Sequence, residues 1–233
     1  MAGSRYFDGT GYYSESANGT DYQGLSGFTI SAWVYRPTSG IATIPYGITN
    51  SGSNVISLYW WSDNKIYMDV RNGSTKYRNS AANTSTGWYH IAGVFDGTAS
   101  DTSRMKVFLN CVDVTTEGTT GNPTTTGSNF AVTGRVGRLD VSPANTANNT
   151  RLAHVAIFNV ALTLRELCEL MAKPNSPQRG RLHYWPLMGN ETTSNHSEPD
   201  QQRIHNLTGT SMPASSPSTM SPPVCVGGSA LWL

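Results

Sequence analysis

Residues 28–36 read FTISAWVYR and residues 87–97 read GWYHIAGVFDG, and these two stretches decide the fold class. In the first, every second residue from Phe28 to Val34 is apolar, which is the period of a strand with one face on a core. The second is a largely apolar run that stops at an Asp-Gly turn dipeptide. Both stretches therefore predict antiparallel β-strands.

On either side of these stretches, short apolar runs alternate with turn residues. Residues 55–61 and 65–71 are predicted to form a hairpin, because Ser-Asp-Asn at positions 62–64 supplies turn chemistry. Further strands are predicted at residues 105–109, 130–136, 152–158 and 182–187. This spacing is typical of an antiparallel sandwich.

One short helix is predicted after Thr163. Thr163 is a suitable N-cap and Glu166 stands three residues later, as a capping box requires. The helix is expected to end at Lys173-Pro174, because proline cannot continue it.

The chain has 233 residues, a length compatible with one all-β domain. We expect residues 1–210 to form this domain, closed by the strand near residues 181–187. Residues 211–233 are predicted to be a Ser/Pro-rich C-terminal arm, because proline lacks the donor that a strand interior needs. The arm ends in three apolar residues that are candidates for an anchor on a neighbouring subunit, namely Leu231, Trp232 and Leu233.

Charge and hydropathy argue against two classes of partner. Sixteen Lys and Arg residues against fifteen Asp and Glu leave a formal net charge of +1, so no strong field attracts nucleic acid. No apolar run approaches the ~20 residues of a membrane span, and residues 1–30 lack the apolar segment of a signal peptide. We therefore expect neither a nucleic-acid nor a membrane partner.

The three cysteines are Cys111, Cys168 and Cys225. Their odd number and wide spacing give no metal-ligand or redox motif. We interpret them as free thiols, with a single bridge as the alternative.

Four segments in order resemble the concanavalin A-like lectin/glucanase superfamily, in its laminin-G-like, pentraxin-related branch. They are residues 5–13, 28–36, 87–97 and 155–167. The resemblance implies an all-β, two-sheet antiparallel jelly-roll sandwich with one short helix. Residues 182–187 and 205–209 also resemble a strand pair that in this family commonly precedes the opening segment. Here the pair follows the helix, which implies that the C-terminal end closes the fold.

Two departures from the family pattern affect which of the family's features are expected in this chain. Asn110-Cys111 stands where the family usually has Asn-Gly, so this turn is expected to adopt another type. Ala153-His154 replaces an acidic pair, which weakens any inherited calcium site because calcium needs several oxygen ligands. We expect no metal and no cofactor.

Catalysis is not expected. The glucanase branch of the superfamily uses two carboxylates held about 5–5.5 Å apart on one strand face. No predicted strand carries such a glutamate pair, and the even spacing of Asp63 and Asp69 is explained by solvent-facing positions. The histidines form neither a zinc motif nor a nucleophile–base pair.

An aromatic cluster near one turn is the candidate site for a glycan or a protein partner. Rings can stack on the apolar face of a pyranose while Asp and Asn bind its hydroxyl groups. Strand alternation places Trp60 on the face opposite to Tyr59 and Trp61, so ordinary core packing is the alternative for at least one ring. Trp33, Trp88 and Trp185 are interpreted as core. The candidates are Tyr59, Trp60, Trp61, Asp63, Asn64 and Tyr67.

From these observations we expect a non-catalytic attachment or structural protein. The reading favoured by sequence is a virion-surface decoration, cement or fibre-associated protein of a tailed phage, with weak glycan contact as a secondary role. Its partners would be other capsid proteins or copies of itself in a homo-oligomer. The alternative is a carbohydrate-binding lectin, calcium-dependent or not, acting at a cell surface or extracellularly.

Overall fold

The computed structural model describes residues 3–15, 19–50, 52–128, 130, 133–141, 144–176, 179–187, 197–198, 206–212 and 222. Within these ranges the chain folds mainly into two large antiparallel sheets.

Sheet A has seven strands, in the order β1-β15-β3-β8-β9-β10, with β16 added beside β1 on the same edge of β15. These strands are β1 (Arg5–Asp8), β3 (Gly27–Arg36), β8 (Gly87–Asp96), β9 (Met105–Leu109), β10 (Val112–Asp113), β15 (Asn148–Phe158) and β16 (Arg181–Trp185).

Sheet B has nine strands, in the order β11-β7-β6-β5-β4-β12-β2-β18-β17. They are β2 (Tyr12–Glu15), β4 (Thr43–Asn50), β5 (Asn54–Trp60), β6 (Ile66–Asn72), β7 (Tyr77–Ser80), β11 (Thr115–Gly118), β12 (Arg135–Val136), β17 (Ser197–Glu198) and β18 (Leu207–Thr210). A separate hairpin consists of β13 (Arg138–Leu139) and β14 (Asn145–Thr146).

The α-helix α1 (Leu164–Ala172) begins at the predicted N-cap. The Thr163 hydroxyl accepts from the Glu166 backbone, and the Glu166 carboxylate accepts from the Thr163 backbone, so the capping box is complete. Two short 3-10 helices span Gly19–Tyr22 and Asp101–Ser103.

The main core lies between the two sheets. Alternate residues of β3, from Phe28 to Val34, are fully buried in it, as the sequence period predicts. They pack with alternate residues of sheet B such as Ile56 and Leu58. The predicted all-β, two-sheet jelly-roll sandwich with one short helix is confirmed.

A second, smaller core covers the outer face of sheet A. Leu167 and Leu170 of α1 are buried there in one apolar cluster with Phe158 and Phe108 of the sheet. The central strand β3 is therefore buried on both faces, which is why its polar residue Thr29 has no exposure.

The strands after the helix join both sheets. Within β16, Trp185 pairs with Val155 of β15 in sheet A. Within β18, Gly209 pairs with Tyr13 of β2 in sheet B. Segments late in the sequence therefore extend the sheets beside the opening strands. The domain boundary near residue 210 stays a prediction, and the candidate anchor residues lie outside the described residues, namely Leu231, Trp232 and Leu233.

A buried polar cluster joins these late and early segments inside the main core. Both oxygens of Glu15 accept hydrogen bonds, 2.6 Å from Tyr22 Oη and 2.8 Å from Tyr46 Oη. His183 Nε2 lies 3.5 Å from Glu15 Oε1, and its ring stacks on Trp185 with centroids 5.2 Å apart. A carboxylate whose two oxygens both accept hydrogen bonds can remain in the protein interior.

The prediction of free thiols is wrong for two of the three cysteines. Cys111 and Cys168 form a disulfide that ties the β9–β10 turn to α1. Their wide separation in sequence hid the pairing, because only the fold brings their Cα atoms to 5.1 Å. Cys225 lies outside the described residues.

The Asn110-Cys111 turn also corrects an expectation. Both residues have positive φ, 47° and 68°, as the two-residue type I′ hairpin turn requires. Glycine is favoured at the second position, but the structure needs a side chain there because Cys111 carries the disulfide.

Other sequence predictions need smaller corrections. The strand predicted over residues 130–136 is confined to Arg135–Val136 among the described residues. Trp33 and Trp185 are buried as predicted, but Trp88 is only half-buried beside Tyr35 on the outer face of sheet A. Strand β4 was not predicted, because a proline and a glycine interrupt its pattern.

Candidate functional site

A row of aromatic side chains crosses the outer face of sheet B. Tyr59 of β5 lies directly opposite Tyr67 of β6, and their rings stack with centroids 5.0 Å apart and planes 9° apart. Trp61 meets the Tyr59 ring edge to face at 5.7 Å, and Tyr77 meets the Tyr67 ring at 5.6 Å. Strand alternation places these half-buried rings on the face of sheet B that is turned away from sheet A, where Tyr59 also packs against the main apolar cluster.

The row forms one wall of a groove of about 330 Å³. That volume lies at the small end of the range for ligand pockets, about 300–1,000 Å³. The groove is lined by Tyr59, Trp61, Tyr67, Arg71, Thr75, Tyr77, Leu139, Val141 and Asn145. Aromatic and aliphatic groups thus meet a few polar ones, as in shallow ligand sites.

The opposite wall comes from the β13–β14 hairpin, which lies over the outer face of sheet B. Its close approach depends on Gly47 in β4, because a Cβ at that position would come within 2.8 Å of Leu139 Cδ1. A glycine in the middle of this strand therefore has a specific use, since it lets the hairpin pack against the sheet and complete the groove.

Arg71 and Asp69 form a charge pair at the base of the groove. Arg71 Nε donates to both oxygens of Asp69 at 3.0 Å, Nη2 donates to Asp69 Oδ2, and Nη1 donates to the Gly52 carbonyl at 3.2 Å. The Asp69 side chain is fully buried. Burial raises the pKa of Asp69, and the Arg71 guanidinium opposes this rise. The pair is thus held rigidly and its charges cancel locally.

Tyr67 Oη donates a 2.6 Å hydrogen bond to Asp63 Oδ2 at the end of the row. Burial and this hydrogen bond raise the pKa of Tyr67 to about 12, so its hydroxyl stays protonated near neutral pH. Asp63 Oδ1 also accepts from the Lys65 backbone at 3.0 Å, which fixes the turn. Asp63 itself is exposed and borders the groove from the turn.

Trp60 does not belong to the site. Its side chain is fully buried in the main core, and the Arg36 guanidinium lies 4.2 Å from its ring centroid. The strand period explains this, since Trp60 points opposite to Tyr59 and Trp61. The core-packing alternative holds for this ring.

Asn64 is also engaged in hydrogen bonds with neighbouring protein groups. It has a positive φ of 65°, and its Oδ1 accepts hydrogen bonds from Arg36 Nη2 at 2.9 Å and Gly40 N at 2.8 Å. Its carbonyl accepts from Trp60 Nε1 at 3.0 Å. Asn64 therefore anchors the turn, and a role for its side chain in ligand contact is not supported.

The structure brings together three predicted residues, Tyr59, Trp61 and Tyr67, with Asp63 at the border. Sequence reasoning missed Arg71 and Tyr77. The period-two pattern holds a signal for Arg71, because it lies on the same strand face as Tyr67. No comparable signal exists for the β13–β14 wall, which reaches the groove only through folding.

The described residues offer little for metal or acid–base chemistry. Across the described ranges, no three His, Cys, Asp or Glu side chains lie close enough to hold a metal ion. Asp69, one of the two strand carboxylates considered for catalysis, has both oxygens bound by Arg71. None of the helices in the described part of the chain has the length and hydrophobicity to cross a membrane.

Solved structures with similar folds are numerous but distant in sequence. A protein of Bacteroides ovatus described as a "putative carbohydrate binding protein" aligns with a TM-score of 0.66 and 17% identity, over 95% of this chain and 63% of that one. This chain therefore spans less than two thirds of that protein's length.

Two further structures show the same sandwich. The CBM40 domain of the Ruminococcus gnavus IT-sialidase has a TM-score of 0.52 and 13% identity, over 72% of this chain and 96% of that one. A heptameric SAP-like pentraxin from Limulus polyphemus has a TM-score of 0.50 and 15% identity, over 73% and 79%. No curated protein shows significant sequence similarity to the chain.

A family model for the concanavalin A-like lectin/glucanase superfamily matches residues 8–168, which is more than half of the chain. Of the four segments that carry the resemblance, the match covers the last three completely and the first from residue 8 onward. It agrees with the observed two-sheet architecture. The chain therefore belongs to the concanavalin A-like lectin/glucanase superfamily.

Proposed function

We propose that this protein is a non-catalytic carbohydrate-binding protein, and that the aromatic groove on sheet B is its binding site. The observation that carries the proposal is the row of four half-buried rings, from Trp61 to Tyr77, beside a wall formed by a separate hairpin. A pyranose has apolar C–H faces and a rim of hydroxyl groups, so it suits a groove with aromatic walls and few polar groups.

The groove also offers hydrogen-bonding groups to a sugar. Asp63 is exposed at the border, and Thr75 and Asn145 line the groove. Polar groups that already have fixed partners, such as Arg71, need little rearrangement when a ligand binds. We propose no catalytic step, because Asp69 is bound by Arg71 and Asp63 already accepts from Tyr67.

Structural neighbours support a sugar ligand over a purely architectural role. The Ruminococcus gnavus domain has been solved bound to α2,3-sialyllactose. The Bacteroides ovatus protein is described as a "putative carbohydrate binding protein". These properties belong to those proteins, and the low identity transfers the fold alone. They favour the lectin alternative of the sequence-based prediction.

Decoration of a phage particle, which the sequence favoured, has less support. Its candidate anchor, residues 231–233, lies outside the described residues, and the structures compared above come from other kinds of protein. We keep extracellular exposure as the proposed location, since a disulfide between Cys111 and Cys168 persists in oxidising environments.

Copies of this chain are proposed to act together. Shallow sugar sites bind weakly, and several linked sites raise the overall affinity by about 10²–10⁴ without new contacts. The pentraxin neighbour is heptameric, which is a property of that protein. A homo-oligomer would present several aromatic grooves to one glycan-covered surface.

A glycan array probed with the full chain tests the proposal, with and without a chelator to separate calcium-dependent from calcium-independent binding. Binding is expected to survive the chelator and to be lost in Trp61→Ala and Tyr77→Ala. Trp88→Ala is the matched control, because Trp88 is a half-buried indole on sheet A. Absence of any retained glycan, or equal loss in the Trp88 control, would contradict the proposed site.

A further inference from the structure

We infer that the groove selects neutral glycans and discriminates against anionic ones such as sialylated or sulfated oligosaccharides. This inference rests on the proposed function and adds the class of ligand. It follows from the pairing of Arg71 with Asp69 and from the exposed carboxylate of Asp63 beside the aromatic row.

Arg71 is the one cationic side chain among the described residues that line the groove. An arginine in a sugar site would ordinarily bind a carboxylate through its fork of donors. Here that fork is turned to Asp69, whose two oxygens accept from Nε and Nη2, while Nη1 donates to Gly52. A ligand carboxylate would have to compete with a buried carboxylate that is already in place.

The neighbouring cations also donate to protein acceptors. Lys65 pairs with Glu117 at 3.2 Å between nitrogen and oxygen. Arg138, in the opposite wall, and Arg135 both pair with Asp140. Lys76 donates to the Thr120 carbonyl. The donors of these cations are therefore already engaged by protein acceptors.

Asp63 adds a negative charge at the border. Its Oδ2 accepts from Tyr67 Oη, so the hydroxyl nearest to the turn is directed at a carboxylate and not into the groove. Asp63 is therefore an exposed negative charge beside a groove whose lining cation, Arg71, is already paired with Asp69. An anionic sugar entering it meets repulsion that a neutral sugar does not, and the repulsion weakens with salt.

The test compares matched glycan pairs on one array, each neutral oligosaccharide beside its sialylated or sulfated counterpart. The full-length chain is expected to bind the neutral member at least tenfold more tightly in low salt, with a smaller ratio in high salt. Equal binding, or preference for the anionic member, would overturn this inference while leaving sugar binding intact. Failure to bind either member would instead remove the proposed function, and this inference with it.

Two variants test the cause of the selectivity. Asp63→Asn keeps the acceptor for the Lys65 backbone and removes one charge, so the neutral-to-anionic ratio should fall at least threefold. Asp69→Asn releases the Arg71 fork and should lower the ratio further. Asp113→Asn, at an exposed carboxylate of sheet A outside the groove lining, is the control and should leave the ratio unchanged. An unchanged ratio in Asp63→Asn, the exposed variant, would refute the electrostatic explanation.

Discussion

Glu15 accepts a 2.8 Å hydrogen bond from Tyr46 Oη although its side chain is fully buried. Tyr22 donates to the other carboxylate oxygen at 2.6 Å. Carboxylates are rarely buried, and this one is tolerated because both oxygens have donors. The cluster joins strand β2 to strand β4 and, through His183, to strand β16, which follows the helix.

Glu15→Ala should destabilise the fold, because it leaves the hydroxyls of Tyr22 and Tyr46 buried without their acceptor. We expect a loss of roughly 2–5 kcal/mol in the free energy of unfolding, measured by urea denaturation. Glu117→Gln, at an exposed carboxylate, should change stability by less than about 0.5 kcal/mol. Equal effects of the two variants would show that the buried cluster is not a stabilising feature.

A chain ending at Gly180 should fail to fold cooperatively. The truncation removes Trp185 and His183 from the main core and β18 from sheet B. Loss of one large buried aromatic costs about 3–5 kcal/mol, a large part of the 5–15 kcal/mol that stabilises a typical domain. Thermal unfolding followed by circular dichroism measures this. A truncated chain that melts like the full-length chain would rule out closure by the C-terminal strands.

Trp60→Ala and Trp61→Ala should have very different effects although the residues are adjacent. Trp60 is buried beneath the Arg36 guanidinium, so its loss should cost about 3–5 kcal/mol. Trp61 is half-buried at the groove, so its loss should cost roughly 1 kcal/mol and remove sugar binding. Denaturation curves of both variants decide this, and similar losses would place Trp61 in the core.

Removing the disulfide should lower stability by about 2–4 kcal/mol, as expected for a bridge that closes a long loop. The bridged residues are separated by 57 positions. Cys111→Gly with Cys168→Ala should be less harmful than Cys111→Ala with Cys168→Ala, because position 111 has a φ of 68° that glycine adopts readily. Thermal melts compare the two double variants, and a cross-linked peptide in a non-reducing digest checks the pairing.

Mild acid should destabilise the protein through two histidines on the outer face of sheet A. Burial lowers the pKa of His90 to about 3 and of His154 to about 4, against an ordinary value of 6.5. Below pH 6.5 the unfolded chain binds protons that the folded chain does not, so stability falls as pH falls. The loss is roughly 1.4 kcal/mol per pH unit for each histidine until its folded-state pKa is reached.

Chemical denaturation between pH 7 and pH 5 measures this slope. Most carboxylates stay ionised in that window, so the histidines dominate it. His90→Gln removes one titrating group and should make the slope shallower, since an amide can still hydrogen-bond with Ser31. An unchanged slope would show that His90 is not buried in its neutral form.

The fold class could be predicted from local patterns in the sequence. The period of two in residues 28–36 and the turn residues after each apolar run indicate paired strands, because side chains alternate between core and solvent along a strand. The capping box at Thr163 fixed the start of the helix, since its hydrogen bonds join residues three positions apart. The same alternation separates Trp60 from Tyr59 and Trp61. These signals are local, so they can be read without the fold.

Contacts between distant residues became visible only in the folded chain. The Cys111–Cys168 bridge, the contact of Glu15 with Tyr46, and the hairpin wall at Leu139 all join segments far apart in the sequence. No local periodicity encodes such contacts, because they depend on the order of strands and on how the sheets pack. For the same reason, the aromatic wall of the groove could be predicted in part from the sequence, whereas the β13–β14 wall could not.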